Sequence, residues 1–228
     1  MRIQRKRDYA IVTGDVVGSS RLTKDARKRL HAALATSARK TAKAFKDAVP
    51  VPVDLFRGDS WQMLVRDPVQ ALRIGLFLRA TLRASSRDRK FDTRFVLAVG
   101  RIDFLPGESV SEGDGEAYRL SGKGLEELPR RERMRLEYPG HADEAALATV
   151  VHLMDGFVSR WSDRQALAAC GALRGWNQET IARRNWTDPI SQQAVAQHLR
   201  GASWAHVERG LEFYEARVGN SENNGKRL

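Results

Sequence analysis

The sequence predicts an α+β fold followed by an all-α domain, and three observations lead to that prediction. Short β-branched runs end at glycines, long amphipathic stretches separate these runs, and the last third alternates helical segments with short breaks. The first part has the order strand, helix, hairpin, helix, strand, helix, which is typical of a ferredoxin-like or palm-type sheet. We predict an α/β domain over residues 1–140, helices over 141–218 and a disordered polar tail over 219–228.

The first three elements bring an aspartate to a strand end and another to a turn. The run Asp8 to Gly14 is β-branched and ends at glycine, so it predicts a buried strand that delivers Asp15 to a loop. Apolar positions at helical spacing from Leu22 to about Ala48 predict a long amphipathic helix. Two strands then turn at Gly58-Asp59, which predicts a hairpin with an aspartate at its tip.

The next elements complete the predicted sheet. Asp67 and Pro68 supply an N-cap and a proline at the first helical position, and the apolar stretch to about Ser86 predicts a second helix. Thr93 to Ile102 is apolar on both alternating faces, as in a central strand covered by helices. A third helix follows the Gly-Asp-Gly turn around Asp114, which we interpret as a turn residue.

Composition restricts the class of protein. The chain has 228 residues, 42% of them hydrophobic, which predicts a soluble globular protein with one good core or two small ones. No apolar run approaches the roughly 18 residues of a membrane span, and the charged start lacks a signal-peptide core, so we expect a cytoplasmic protein. Cys170 is the only cysteine and cannot form an internal disulfide.

The net charge of +11 is unevenly distributed. Residues 1–140 carry 29 Lys and Arg against 18 Asp and Glu, whereas residues 141–228 carry ten of each. A basic excess of this size indicates a polyanionic partner. Its position in the first part argues against a C-terminal domain that holds DNA by charge alone.

Asp15 and Asp59 are the candidate metal ligands. They would be neighbours if the first strand pairs beside the hairpin, and a hard cation such as Mg²⁺ often takes only one or two protein carboxylates. The backbone carbonyl of Val16 could add a ligand. The alternative is that both aspartates only accept hydrogen bonds from turn amides. The glycines that would let a nucleotide phosphate approach the backbone are Gly14, Gly18 and Gly58.

Four segments, in order, carry a family resemblance over roughly Tyr9 to Leu128: IVTGDVVGSSRL, FRGDSWQML, RFVLAVGRI and GDGEAYRLSGKGLEEL. They resemble the SatD family, whose N-terminal half is similar to class III nucleotidyl cyclase catalytic domains. The resemblance implies that Asp15 and Asp59 bind metal ions, Mg²⁺ or Mn²⁺, with a nucleotide triphosphate. It also implies a homodimer, because cyclase sites of this class are usually completed by a second subunit.

This sequence departs from the cyclase pattern at a position that cyclases use for catalysis. Cyclases carry an asparagine and an arginine on the last helix, and these positions correspond to Glu126 and Arg130. Arg130 is therefore the candidate catalytic residue, but a carboxylate at Glu126 would repel a triphosphate. Nucleotide binding without turnover and catalysis are therefore both open alternatives. Basic residues near strand and loop ends are candidates for contacting the phosphates, and these are Arg57, Arg94, Arg101 and Lys123.

The segments NQETIARR and ISQQAVAQHL resemble a helix-turn-helix of the sigma-factor-region and response-regulator type. Apolar residues at helical spacing would form the shared core of the pair: Ile181, Ala182, Val195 and Leu199. Ser191 would cap the second helix. The candidate DNA-contacting residues are Arg183, Arg184, Ser191, Gln192, Gln193, Gln197, His198 and Arg200. The alternative is a helical bundle for dimerisation or protein contact, since the connection is longer than the usual tight turn.

The leading hypothesis is a DNA-binding regulatory protein whose cyclase-like domain binds nucleotide and divalent metal without efficient turnover. The first alternative is an active nucleotidyl cyclase or nucleotidyltransferase that works as a dimer. The second is an inert dimerisation scaffold with a helical protein-interaction module. None of the three involves a membrane.

Overall fold

The computed structural model describes residues 3–4, 7–56, 58–86, 91–107 and 109–224, and within them it contains a five-stranded open sheet and eight α-helices. The strands are β1 (Asp8–Val16), β2 (Asp54–Phe56), β3 (Ser60–Val65), β4 (Thr93–Arg101) and β5 (Met134–Glu137). The helices are α1 (Lys24–Ala44), α2 (Pro68–Ala84), α3 (Glu116–Glu127), α4 (Glu144–Val158), α5 (Asp163–Leu173), α6 (Gln178–Arg184), α7 (Gln192–Gly201) and α8 (Trp204–Asn224).

The sheet has the strand order β2-β3-β1-β4-β5, with β1 at its centre. All neighbouring strands are antiparallel except β4 and β5, which are parallel. The predicted order of strands and helices from residue 8 to residue 127 is confirmed. The fifth strand lies in the charged segment 130–137, for which the sequence analysis predicts no strand.

Alternate residues of β1 face two different layers of the molecule. Ala10 and Val12 belong to the hydrophobic cluster that includes α1 and α2, whereas Tyr9 and Ile11 pack with Ala117 at the start of α3. This follows from the period of two in a strand, where successive side chains point to opposite faces. Both faces of the central strand are therefore covered.

The beginning of α2 has the local chemistry that the sequence predicted. The Asp67 side chain accepts a hydrogen bond from the Val69 N–H at 3.0 Å, and Pro68 occupies the first turn, where a missing N–H costs nothing. The helix is buried along most of its length, because it lies between the sheet and the C-terminal helices.

The C-terminal helices pack on the α/β part instead of standing apart from it. One hydrophobic cluster runs from Ala10 in β1 to Val218 in α8, and α2 contacts both α5 and α8. The Tyr214 hydroxyl donates a hydrogen bond to the Pro68 carbonyl at 2.9 Å across this junction. The boundary predicted near residue 140 therefore falls within a continuous core.

Two other C-terminal features bear on the predictions. Helix α8 continues to Asn224, so the first residues of the predicted disordered tail are helical, and residues 225–228 lie outside the described part. In the pair α6–α7 the four residues predicted as the shared core are all buried, and Ser191 caps α7 by accepting from the Ala194 N–H at 3.1 Å. These predicted helices and their packing are confirmed.

A buried ionic cluster joins the two parts of the chain. Arg79 of α2 is fully buried and donates to both oxygens of Asp92, at 2.8 and 2.9 Å, and to Asp155 of α4 at 2.7 Å. Arg83 donates to Asp92 at 2.7 Å, and the Arg133 N–H donates to Asp155 at 2.7 Å. A buried arginine needs such partners, since an unpaired charge in the interior is costly.

Among the described residues, no helix combines the length and the apolar character that crossing a bilayer requires.

Candidate functional site

The two predicted aspartates lie at the same end of the sheet. In β1, Asp15 is opposite Ser60 of β3 on one side and Arg94 of β4 on the other. The Val16 N–H donates to the Asp59 backbone carbonyl at 3.0 Å, which fixes the hairpin tip against the end of β1. Residues 44 positions apart in sequence are thereby adjacent in space.

The carboxylate of Asp15 is held by an arginine from the neighbouring strand. Arg94 donates from Nε to Oδ1 at 2.8 Å and from Nη2 to Oδ2 at 2.9 Å, a bidentate pair. The hydrogen bond to Asp15 raises the pKa of Arg94. Each side chain keeps about a quarter of its surface exposed, so the pair borders solvent. Arg94 also donates to the Leu128 carbonyl at 3.2 Å, which ties the end of α3 to this site.

Asp59 has a different partner. The Ser19 hydroxyl donates a short hydrogen bond to Asp59 Oδ2. Ser19 begins a 3₁₀ turn directly after Gly18, whose φ of 71° is in the left-handed region that favours glycine. Space in front of Gly18 is open, since no atom lies within 4 Å of where a Cβ would be. Gly58, at φ 85°, lies near the His31 ring of α1.

The prediction that Gly14 lets a phosphate approach the backbone is wrong, because the space beside it is filled. A Cβ at Gly14 would lie 2.5 Å from Trp61 Cε2 and 2.6 Å from the Arg94 carbonyl oxygen. The Trp61 Nε1–H donates to Thr93 Oγ1 at 2.8 Å, and the Thr93 hydroxyl donates to the Asp15 carbonyl at 2.6 Å. Gly14 therefore makes room for the indole that supports Asp15.

The structure also separates Arg101 from the site. Asp8 is opposite Arg101 and Asp15 is opposite Arg94, so Arg101 lies at the other end of β4. Seven residues of extended chain span roughly 23 Å, which excludes a shared contact with one small ligand. The prediction failed because Arg94 and Arg101 lie at opposite ends of the same strand, and the sequence does not show which end faces Asp15.

The other predicted phosphate contacts have mixed positions. Lys123 projects from α3 into solvent and lies 3.8 Å from Glu127. Arg57 lies outside the described residues. Asp114 accepts from the Gly115 N–H at 2.7 Å and from Arg119 at 2.9 Å, as a turn residue does, and the turn interpretation is confirmed.

The candidate catalytic residue is not on a helix. Helix α3 ends at Glu127, and Arg130 follows Leu128 and Pro129 in an exposed turn. Proline lacks an N–H and cannot continue the hydrogen-bond ladder, which explains why the helix ends before it. Glu126 is on the last turn of α3 and is exposed.

The ligands available to a cation here are few. Within the described ranges no group of three or more His, Cys, Asp or Glu side chains could hold a metal ion. Two carboxylates, of Asp15 and Asp59, together with the carbonyl of Val16, are oxygen donors of the kind that Mg²⁺ and Mn²⁺ accept. These oxygens are of the chemical kind that a hard cation accepts, and in this structure the two carboxylates are bound by Arg94 and Ser19.

The candidate DNA-contacting residues divide by their surroundings. Gln192, Gln193, Gln197 and Arg200 are exposed along α7, whereas Ser191 caps that helix. Arg183 is bound to Glu179 at 2.6 Å, and Arg184 faces a cavity beside α1. The His198 ring stacks on Trp186 with centroids 5.3 Å apart, and burial, followed by the nearby Arg164, lowers the pKa of His198.

The sequence did not reveal the partners of the two aspartates. Ser19 and Thr93 were not singled out, and Arg94 was expected to face a phosphate instead of Asp15. The available signal was the strand order, because β4 beside β1 places some residue near position 94 opposite Asp15. The register itself is set by tertiary packing and cannot be taken from spacing.

Comparison with known proteins gives distant structural likenesses and no match in sequence. No family model and no curated protein matches the sequence. Among solved structures, the chain is similar to a crystal structure of the guanylyl cyclase Cya2, with 15% identity and a TM-score of 0.44. The superposition covers 60% of this chain and 77% of that chain. This likeness concerns the fold alone.

Proposed function

We propose that this protein is a DNA-binding regulatory protein that binds a nucleotide with Mg²⁺ or Mn²⁺ at the sheet end carrying Asp15 and Asp59. In this proposal the sheet is a ferredoxin-like, cyclase-type sheet of the SatD kind, and α6–α7 is a helix-turn-helix. The protein acts in the cytoplasm as a homodimer whose second subunit completes the nucleotide site.

The proposed nucleotide site rests on the proximity of Asp15 and Asp59. The hydrogen bond from Val16 N–H to the Asp59 carbonyl, 3.0 Å long, puts both acidic residues at one sheet end. Among the described residues, the Asp15 side chain is bound by Arg94 and the Asp59 side chain by Ser19, and a cation can replace these bonds. The guanidinium of Arg94 is then released beside the bound phosphates, which it fits by charge and shape.

The surroundings favour binding over turnover. The exposed Glu126 stands where a cyclase needs a hydrogen-bond donor, and Arg130 lies beyond the end of α3. A donor that stabilises charge in a transition state must be held in place before the reaction. Residues on an exposed turn after Pro129 do not meet that requirement without a further subunit.

Calorimetric titration of the purified protein with GTP or ATP and Mn²⁺ tests the nucleotide site. We expect the part of the binding that EDTA abolishes to be weakened by at least about ten-fold in Kd in Asp59→Ala and Asp15→Asn, since each removes a charged oxygen ligand. Asp47→Ala is the matched control, because Asp47 is exposed just beyond the end of α1, away from the site. Equal binding in all variants would refute the site.

The same samples separate the alternatives. A cyclic product that requires Mn²⁺ and Asp59 would show an active nucleotidyl cyclase. An absence of any thermal shift with every nucleotide and metal would favour the inert scaffold, since a ligand that binds the native state stabilises it.

The DNA part of the proposal rests on α7. Val195 and Leu199 are buried against the neighbouring helices, so Gln193, Gln197 and Arg200 form the opposite, exposed face. Glutamine and arginine side chains are suited to base edges in the major groove. The neutral C-terminal charge leaves phosphate contacts to the basic first part of the chain.

Binding to random duplex DNA followed by selection of preferred sequences tests this part. We expect Arg200→Ala and Gln193→Ala to lose roughly 1–3 kcal/mol of discrimination between bases. Arg209→Ala is the control, because Arg209 is exposed on α8 and pairs with Glu212. If selection yields no preferred sequence with the unmodified protein, α7 does not read DNA.

A further inference from the structure

A cavity of about 580 Å³ lies between the first half of the chain and the C-terminal helices. Its walls come from α1, α2, α5 and the end of α6, so both parts of the protein contribute. The volume falls within the range of roughly 300–1,000 Å³ that small-molecule sites occupy. None of its lining residues belongs to the Asp15 and Asp59 site.

The charges at this cavity all have one sign. Lys40 and Lys43 line it from α1, and Arg174 and Arg184 line it from the C-terminal part. Among the described residues that line it there is no aspartate or glutamate. Over the part of the chain that the structure describes, none of these four cations forms an ion pair. Like charges gathered around a concave wall repel one another and attract an anion.

We call the apolar part of the lining the floor of the cavity, and the buried polar side chains of Ser37 and Thr81 also line it. Phe77 of α2 and Leu167 and Cys170 of α5 lie there, and Trp176 completes the wall. The Arg174 guanidinium sits over the Trp176 ring at 3.9 Å from its centroid, which fixes the position of both side chains. A site with an apolar floor and a cationic rim suits a ligand that has an apolar part and an anionic part.

Electrostatic effects within the cavity agree with this geometry. Burial lowers the pKa of Arg174, and the nearby Arg184 lowers it further. Burial raises the pKa of the Cys170 thiol to about 11, although Lys40 and Arg174 act in the opposite direction. These two cations, from different parts of the chain, are therefore close enough to influence a negative charge at the cavity floor.

We propose that this cavity is a second ligand site, which binds a phosphorylated small molecule with a planar apolar part, of nucleotide size, without a metal ion. Lys40, Lys43, Arg174 and Arg184 neutralise the phosphates, and the apolar floor takes the planar part. Because α1 and α6 close on the same ligand, binding joins the basic first part of the chain to the α6–α7 pair. The proposal does not depend on a metal site at Asp15.

Calorimetry in the presence of EDTA tests the proposal on the full chain. The probes are ATP, which carries both the planar part and the charge, adenosine, which carries only the planar part, and inorganic tripolyphosphate, which carries only the charge. We expect ATP to bind at least ten times more tightly than either of the other two. Equal binding of tripolyphosphate and ATP would show charge attraction only and would overturn the proposal, as would an absence of ATP binding at millimolar concentration.

Variants locate the binding. The double variant Lys40→Glu, Arg174→Glu should weaken ATP binding by more than ten-fold, because it reverses a charge on each wall. Lys28→Glu, Arg29→Glu is the matched control, since it changes the net charge equally on an exposed turn of α1 outside the cavity. Asp59→Ala should bind ATP normally in EDTA, which separates this site from the nucleotide site proposed above. Loss of binding in Asp59→Ala, or equal losses in the two double variants, would overturn the assignment.

The single cysteine gives a readout that requires no variant. Cys170 lies at the cavity floor, so a bound ligand should slow its alkylation by N-ethylmaleimide, measured at alkaline pH because burial raises the pKa of this thiol to about 11. We expect at least a five-fold lower rate with saturating ATP in EDTA and no change with adenosine at the same concentration. An alkylation rate that ATP leaves unchanged would contradict a ligand at this place.

Discussion

Two arginine–aspartate clusters lie on either side of Thr93, and they differ in burial. Arg79 is fully buried with Asp92 and Asp155, whereas Arg94 and Asp15 each expose about a quarter of their side chains. A buried charge without its partner is expensive, but an ion pair that borders water is worth little. The buried cluster is therefore required by the fold, and the half-exposed pair is free to exchange partners with a ligand.

The largest expected effect tests the buried cluster. Arg79→Met should lower the free energy of unfolding by roughly 3–5 kcal/mol, because Asp155 would remain in the interior without its cation and Asp92 would keep only Arg83. Urea denaturation measures the loss. Arg73→Met is the control, since its pair with Glu215 is partly exposed and should contribute at most about 1 kcal/mol. Equal losses in the two variants would remove the distinction between the clusters.

The second test concerns the backbone between the clusters. Gly14→Ala should destabilise the protein by roughly 1–3 kcal/mol, because the added methyl group overlaps Trp61 and the Arg94 carbonyl. Thermal unfolding measures the loss, and Gly122→Ala is the comparison, because no described atom lies within 4 Å of where a Cβ at Gly122 would be and its φ is not in the left-handed region. A Gly14→Ala protein as stable as the original would mean that Trp61 moves freely.

Acid should act on the buried cluster gradually. Burial on its own would raise the pKa of Asp92, but Arg79 and Arg83 outweigh it and hold that pKa below its ordinary value. A lowered pKa in the folded state gives stability above the unfolded pKa, roughly 3.9, that is lost as pH falls through the folded pKa. We expect the free energy of unfolding to decline below about pH 4, and Asp92→Asn to show a shallower decline. An identical pH dependence in Asp92→Asn would assign the decline to other carboxyls.

The smallest expected effect on stability belongs to the half-exposed pair. Arg94→Met should change the free energy of unfolding by no more than about 1 kcal/mol. It should nevertheless tighten the binding of Mn²⁺ alone several-fold, because both oxygens of Asp15 become available, and weaken nucleotide binding, because a phosphate contact is lost. Calorimetry with and without nucleotide measures the two changes. A large loss of stability would mean that Arg94 is structural, as Arg79 is.

The sequence predicted the secondary-structure elements better than the contacts between these elements. β1, the hairpin, α2 and β4 follow from hydrophobic periodicity and from caps such as Asp67, which are local properties. β5 was missed because alternation over only four residues, with Met134 and Leu136 buried, is too short to distinguish from a charged connection. The parallel pairing of β4 with β5 is a tertiary property without a local signal.

The candidate site shows the same limit. Asp15 and Asp59 were found because Asp15 lies near the end of the first strand and Asp59 at the hairpin turn, and their junction follows from the strand order. Arg101 and Gly14 were misassigned because strand direction and side-chain packing determine what lies beside a residue. The ion pair between Asp15 and Arg94 depends on register, which one residue of slip would change.

The continuous core that runs from β1 to α8 determines how the molecule unfolds. Helix α2 lies between the sheet and the C-terminal helices, so removing α4 to α8 would expose its hydrophobic surface. Residues 1–140 expressed alone should therefore aggregate. Heating should likewise melt the sheet and the helices together in a single sharp step. A ligand that stabilises the C-terminal helices should therefore also stabilise the sheet, since the two parts unfold together.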